Sequence, residues 1–245
     1  MLNLLMRKIV LLFLLFTLAY FANAQNNIIT PETNTLQMYY LRPYKSTSKV
    51  IVENNGKERD LGMLIDELKI IEKDGEKYYE RVQQMPTIGL IDTSIDKCDN
   101  LAPVFHAGHN FSGYMHLNFG KSEVTGEKYF SKNDSLYIIN NNMPGSYFDS
   151  NMFEVVLRLL PLKENYEVSV PYYIFESGGY VLYKVKVTGE DELKNGNDEM
   201  KDVWVLETKN NEFATTFYIT KETREVIKMI GFRSPQLKII STKID

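Results

Sequence analysis

The stretch Asp149-Ser150-Asn151-Met152-Phe153-Glu154-Val155-Val156-Leu157-Arg158-Leu159-Leu160-Pro161 decides the fold. Asp149-Ser150 offers an N-cap and Pro161 a stop, so the spacing predicts a helix over Asn151 to Leu160. Its apolar side chains cover most of the circumference, and Asn151, Glu154 and Arg158 fall at i, i+3 and i+7 on one narrow polar stripe. A helix apolar over so wide an arc has to be surrounded rather than laid on a surface. Burying seven such side chains contributes, as an upper bound, about 10–20 kcal/mol of gross stabilisation.

The surroundings that the rest of the chain can supply are β. Val181, Tyr183, Val185 and Val187 alternate with Lys184, Lys186 and Thr188, and Phe213, Thr215, Phe217 and Ile219 repeat the period. Such segments bury one face and wet the other, as antiparallel sheets do. Asn54-Asn55-Gly56 and Lys73-Asp74-Gly75-Glu76 mark tight hairpins. Short connections predict sequential antiparallel neighbours. Thr35 to Tyr44 is open between helix and strand, and the acidic, Asn/Gly-rich run Gly189 to Asp202 reads as an exposed loop. Helix and strands together predict a mainly β domain: a curved antiparallel half-barrel of about a dozen strands wrapped around one central apolar helix.

The N-terminus gives an address. Arg7 and Lys8 precede an apolar run from Ile9 to Phe21, and Ala22-Asn23-Ala24 carries the small-x-small pattern of a signal-peptidase site. Residues 1–24 are expected to be a cleaved signal peptide and the mature chain to begin at Gln25 in the periplasm or outside the cell. No cysteine stands at the cleavage point for lipid attachment. Residues 25–47 read as a partly ordered leader, and 48–245 as the half-barrel domain. No second apolar run is long enough to span a bilayer as a helix. The C-terminal Lys243-Ile244-Asp245, without a terminal aromatic, speaks against an outer-membrane barrel.

Charge excludes another class. The chain has 28 basic and 32 acidic residues; losing Arg7 and Lys8 leaves 26 against 32, a net of −6. Nucleic acids and anionic membrane surfaces reward the opposite balance. Cys98 is the single cysteine, so there is no intramolecular disulfide, and its acidic neighbours disfavour a reactive thiolate.

The residues resemble a known group. Leu101-Ala102-Pro103-Val104-Phe105-His106, Phe148-Asp149-Ser150-Asn151 running into Leu157-Arg158-Leu159-Leu160-Pro161-Leu162, and Val187-Thr188-Gly189-Glu190 carry the likeness. Val203-Trp204-Val205-Leu206-Glu207 and Thr220-Lys221-Glu222-Thr223-Arg224-Glu225-Val226 extend it. From about Val50 onward the chain resembles the lipoprotein-carrier half-barrels of the LolA/LolB-like superfamily. More narrowly, it resembles a domain-of-unknown-function family of secreted Gram-negative bacterial proteins with that fold. The resemblance implies a concave apolar face that takes up lipid chains or acylated partners, and it brings no catalytic residues and no cofactor. Phe153, Val156, Leu160, Trp204 and Phe217 are the candidates for lining such a cavity, though Trp204 reads more readily as core. Glu154 and Arg158 either pair along the helix or stand at the cavity mouth.

The remaining chemistry is sparse. His106, His109 and His116 lie within eleven residues and could share a hairpin with a metal. No carboxylate or cysteine lies inside that span to complete a shell, so the expectation is ordinary solvated imidazoles at a polar hairpin tip and no metal. Gly120-Lys121-Ser122 lacks the earlier glycine of a phosphate loop, Met115 standing in its place. No G-x-S-x-G elbow is present, so no hydrolase is expected. The functional expectation is a non-catalytic periplasmic carrier for an apolar or acylated ligand. The alternative is an envelope scaffold with a self-filled core and a protein partner.

Overall fold

In the computed structural model, which describes residues 27–33, 35–175, 178–210 and 214–245, the chain folds into fifteen strands and little helix. The first arm comprises β1 (Tyr44–Asn54), β2 (Lys57–Lys73), β3 (Glu76–Met85), β4 (Leu90–Lys97), β5 (Pro103–Asn110), β6 (Gly113–Phe119), β7 (Glu123–Phe130) and β8 (Ser135–Asn142). The second comprises β9 (Phe148–Asp149), β10 (Glu167–Ile174), β11 (Gly179–Lys194), β12 (Met200–Lys209), β13 (Ala214–Thr220), β14 (Val226–Ser234) and β15 (Leu237–Lys243). All belong to one sheet in the order β8-β7-β6-β5-β4-β3-β2-β1-β15-β14-β13-β12-β11-β10-β9. The sheet is open, with β8 and β9 as its outermost strands.

Each arm is an antiparallel meander, and the arms join where β1 pairs with β15 through Val50↔Ser241 and Ile51↔Ile240. Among the described strands the parallel ladder is the short β9–β10 contact, Tyr172↔Phe148 and Tyr173↔Asp149. Two hairpins turn as their residues require: Asn55 and Gly56 at φ 50° and 74°, Asp74 and Gly75 at φ 54° and 79°. A pair of positive φ values matches the right-handed twist of the strands they connect. The described residues form fifteen strands against the dozen or so expected, and the strand with no signal in the sequence is β9, whose two residues are too few to show a period.

The clearest correction is at Gly189 to Asp202. This run is not a loop: β11 continues to Lys194, β12 begins at Met200, and Glu190↔Trp204 and Asp191↔Val203 lie in register. Its strands carry ion pairs such as Lys221–Glu190 at 2.5 Å in place of buried apolar residues. A hairpin wetted on both sides shows no period-2 apolar signal.

The helical segment is shorter than the ten residues expected. A 3-10 turn at Ser150–Met152 leads into α1 (Phe153–Leu159). Asp149 caps the start, its Oδ1 accepting from the Asn151 N–H at 2.8 Å. Leu160 is already extended at φ −65°, ψ 147°, as a residue before proline must be. Met152, Val155, Val156, Leu157, Leu159 and Leu160 are all 0% exposed. They share one cluster with Leu68, Tyr79, Val168, Val170, Tyr172, Val185, Val187, Leu206, Phe217 and Ile219 of the sheet. A second cluster, Met115, Leu117, Val124, Met143, Tyr147 and Tyr173, lies under the β6–β8 end.

The leader is better ordered than a loose tail. The Ser169 N–H donates to the Asn27 carbonyl at 2.8 Å and the Ile29 N–H donates to the Ser169 carbonyl at 2.9 Å, so the leader runs along the outer edge of β10. A 3-10 turn at Met38–Tyr40 resolves the Thr35 to Tyr44 segment. The Gln37 N–H donates to the Leu159 carbonyl at 2.8 Å, meeting one of the acceptors a helix leaves open at its C-terminus. The expected signal peptide and its cleavage site lie outside the described residues.

Candidate functional site

Most of the polar chemistry buried in this domain gathers at the N-terminal end of α1. Arg81 on β3 is 2% exposed. Its Nε donates to Asp66 Oδ1 at 2.9 Å and its Nη2 to Asp66 Oδ2 at 2.6 Å, a forked pair between neighbouring strands. The same Nη2 reaches Glu154 Oε2 at 3.0 Å, and Nη1 donates to the Asn151 carbonyl. Tyr44 completes the group by donating its hydroxyl to Asp66 Oδ2 at 3.0 Å. One guanidinium thus ties β2, β3 and the first turn of α1 together. Burial pushes the Tyr44 hydroxyl up to about 12, with the Arg81 and Arg158 charges pulling it down and the Asp66 and Glu154 carboxylates adding to the rise.

Beside this group lies a second, wholly buried one: Ser94, Asp96, His106 and Asp149, each 0% exposed. Ser94 Oγ donates to Asp149 Oδ2 at 2.5 Å and accepts from Asn151 Nδ2 at 3.0 Å. A hydroxyl has one hydrogen and two lone pairs, so its remaining lone pair takes the Nδ1–H of His106 at 3.1 Å. His106 Nε2 is buried without a hydrogen bond and lies 3.9 Å from Asp92 Oδ1. The His106 ring stacks on Phe175 with centroids 3.9 Å apart. Both Asp96 oxygens are likewise buried without a hydrogen bond. Burial, reinforced by the nearby Asp149 carboxylate, holds the Asp96 carboxyl well above the usual range, with Arg81 pulling the other way. Burial thus favours the protonated form of Asp96.

Ser94, His106 and Asp149 share the residue types of a hydrolytic triad but not its wiring. In a triad the imidazole stands between serine and carboxylate; here the serine stands between the other two. Its proton is committed to Asp149, and the residue is 0% exposed.

The residues singled out from sequence are distributed as follows. Val156, Leu160 and Phe217 are core, at 0%, 0% and 2% exposure. Phe153 is half-buried, its ring 4.5 Å from Tyr172, 5.0 Å from Tyr183 and 5.8 Å from Phe217. Trp204 is half-buried with Lys221 Nζ 4.6 Å from its ring centre. The expected Glu154–Arg158 pairing is replaced by longer-range partners: Glu154 turns to Arg81, while Arg158 Nε donates to the Arg224 carbonyl at 2.6 Å. A tertiary partner that is itself fully buried outcompetes an exposed intrahelical pair worth about 0.2–0.5 kcal/mol. Both side chains border a cleft of about 80 Å³, whose other walls include Tyr44, Leu64, Met229 and Lys243. Cys98 sits in the turn after β4, its thiol pushed up first by burial and then by Asp99.

The three histidines are not brought together. His106 faces the interior, whereas His109 and His116 meet on the outer face with Nε2 atoms 3.1 Å apart. Among the described residues no group of three or more His, Cys, Asp or Glu is placed to hold a metal ion. The sequence reading missed Arg81, Asp66, Ser94, Asp96 and Asp149 as a unit. Arg81 and Asp96 sit at buried positions of alternating strands, and a charge there was the available signal.

Fold and polar centre together define a β-barrel-like domain built on one open, antiparallel-rich sheet. The chain belongs to a family of proteins of unknown function, DUF3108, whose model matches residues 59–234. Among solved structures it is similar to a beta-barrel-like protein of domain of unknown function DUF1849 from Brucella abortus. That likeness has a TM-score of 0.50 at 6% identity, covers 84% of this chain and 97% of the other, and concerns the fold alone. No curated protein matches the chain.

Proposed function

We propose that this is a non-catalytic envelope domain of the half-barrel type, with its concave face filled by its own helix, that works by contacting another protein. The observation that carries this reading is the free volume beside α1. The cleft there holds about 80 Å³, against roughly 300–1,000 Å³ for sites that enclose a small-molecule ligand. The side chains that would line a lipid cavity, Val156, Leu160 and Phe217, instead belong to the packed core. The sealed Ser94 hydroxyl supports the absence of hydrolytic chemistry. Export rests on the N-terminal sequence pattern, and N-terminal sequencing of the mature protein is expected to begin at Gln25.

The sole tryptophan makes the test direct. Brominated fatty acid titrated into the delipidated protein is expected to leave Trp204 emission unchanged, whereas saturable quenching would overturn the self-filled reading. A carrier reading has one observation in its favour. A hollow of about 340 Å³ beside Trp204, bordered by Glu164, Asn165, Val187 and Glu190, reaches the size small ligands occupy. Its largely polar border suits an amphipathic head group better than an acyl chain.

A further inference from the structure

His109 and His116 lie on the outward face of the β5–β6 hairpin. The register sets His109 opposite Tyr114 and His116 opposite Ala107, so the two imidazoles are diagonal cross-strand neighbours, within reach of one another. Their Nε2 atoms are 3.1 Å apart and their ring centres 5.1 Å apart. Two nitrogens held by one tetrahedral zinc at ordinary bond lengths stand about 3.3 Å apart. The observed separation is close to that value, and turning both rings outward would aim the two nitrogens at a shared ion.

The surroundings favour the tautomer a metal needs. His116 Nδ1 is 3.8 Å from Glu127 Oε1, directly across the β6–β7 ladder. At 3.8 Å the carboxylate accepts no hydrogen bond from Nδ1, but its charge on that side favours Nδ1–H over Nε2–H and so leaves the Nε2 lone pair towards His109. The rings are also held in place. Tyr114 stacks on His109 at 5.9 Å and on His116 at 4.9 Å, and Tyr129 backs it at 5.3 Å. His116 and Glu127 each retain 39% side-chain exposure, so an ion can approach from solvent.

We propose that His109 and His116 form a two-imidazole chelate for a first-row divalent cation of the zinc, nickel or copper class. Imidazole donors suit these ions, whereas calcium and magnesium call for oxygen ligands. In the metal-free protein a single proton bridges the two Nε2 atoms as an N–H···N hydrogen bond. Binding needs His109 to exchange its Nε2–H for an Nδ1–H through solvent, a tautomer change with no net proton loss, after which both Nε2 lone pairs turn to the metal. With two protein donors the remaining positions are open to water or to a donor from another molecule. The site is therefore an exchangeable surface site, unlike a closed structural one. It is independent of whether the core carries a ligand.

Untagged full-length protein, stripped with a chelator, is to be titrated calorimetrically with zinc chloride and, separately, nickel chloride. One equivalent with micromolar affinity is expected. His109→Ala and His116→Ala should each weaken binding at least about tenfold while leaving the circular dichroism spectrum and the melting curve unchanged, because both side chains are on the surface. Glu127→Gln should weaken it by about tenfold, the usual cost of losing an outer-shell partner. No heat of binding at millimolar metal, or one equivalent that survives in both histidine variants, would overturn the proposal.

Discussion

The two ends of α1 are held by different physics. At its start, Arg81 gathers Asp66, Glu154 and the Asn151 carbonyl, and Asp149 gathers Ser94 and the Asn151 N–H. At its end, Leu157, Leu159 and Leu160 are fully buried among apolar neighbours, and the backbone is met by Gln37 of the leader. Apolar burial scales with area and tolerates small slides, whereas forked hydrogen bonds fix one angle and one register. The polar end therefore sets where the helix sits, and the apolar end supplies most of its stability.

That division can be broken at several points. Val156→Asp should do the most damage, because an unpaired carboxylate in the apolar half costs several kcal/mol and leaves no cooperative melt; parent-like unfolding would show that the helix is not enclosed. Next comes Arg81→Ala. Stripping the buried guanidinium from its two carboxylates should cost about 3–5 kcal/mol by urea unfolding. Leu160→Ala at the other end should cost about 2–5 kcal/mol, in proportion to the cavity left. If the ends act separately, the double variant should come close to additivity.

Asp96→Asn tests the polar end without removing volume. The folded state holds this carboxyl above its unfolded value near 3.9, so the folded protein binds the extra proton. The associated stability is fully present below about pH 4 and is lost as pH rises through the raised folded value. The asparagine variant should accordingly melt higher than the parent at pH 7, with the gain shrinking towards pH 4; an equal gain at both would refute a neutral Asp96. Smallest of all, Lys221→Ala removes the surface cation over Trp204 and should cost about 0.5–1 kcal/mol.

What could be read from the chain follows the range of the forces involved. The helix stop at Pro161, the Asp149 cap and the Asp74-Gly75 turn are settled by residues within a few positions, and each stands where the sequence places it. The polar centre is not local. Arg81 finds Asp66 fifteen positions away and Glu154 seventy-three away, and Ser94 finds Asp149 across fifty-five. No window of sequence contains those partners. The histidines show the same limit: their closeness in sequence suggested one cluster, and the strand period sent His106 to one face and His109 to the other. The two-residue β9 and the wet outer part of the β11–β12 hairpin, Gly189 to Asp202, were invisible for want of an apolar pattern.

Native mass spectrometry of the protein, released from its own host without detergent, bears most directly on the self-filled core. A single mass equal to that of the mature polypeptide is expected, with no lipid-sized adduct under gentle activation. A persistent adduct that Val156→Phe or Leu160→Phe displaces would mean that α1 shares its space with a ligand, which contradicts a core filled by the protein's own side chains.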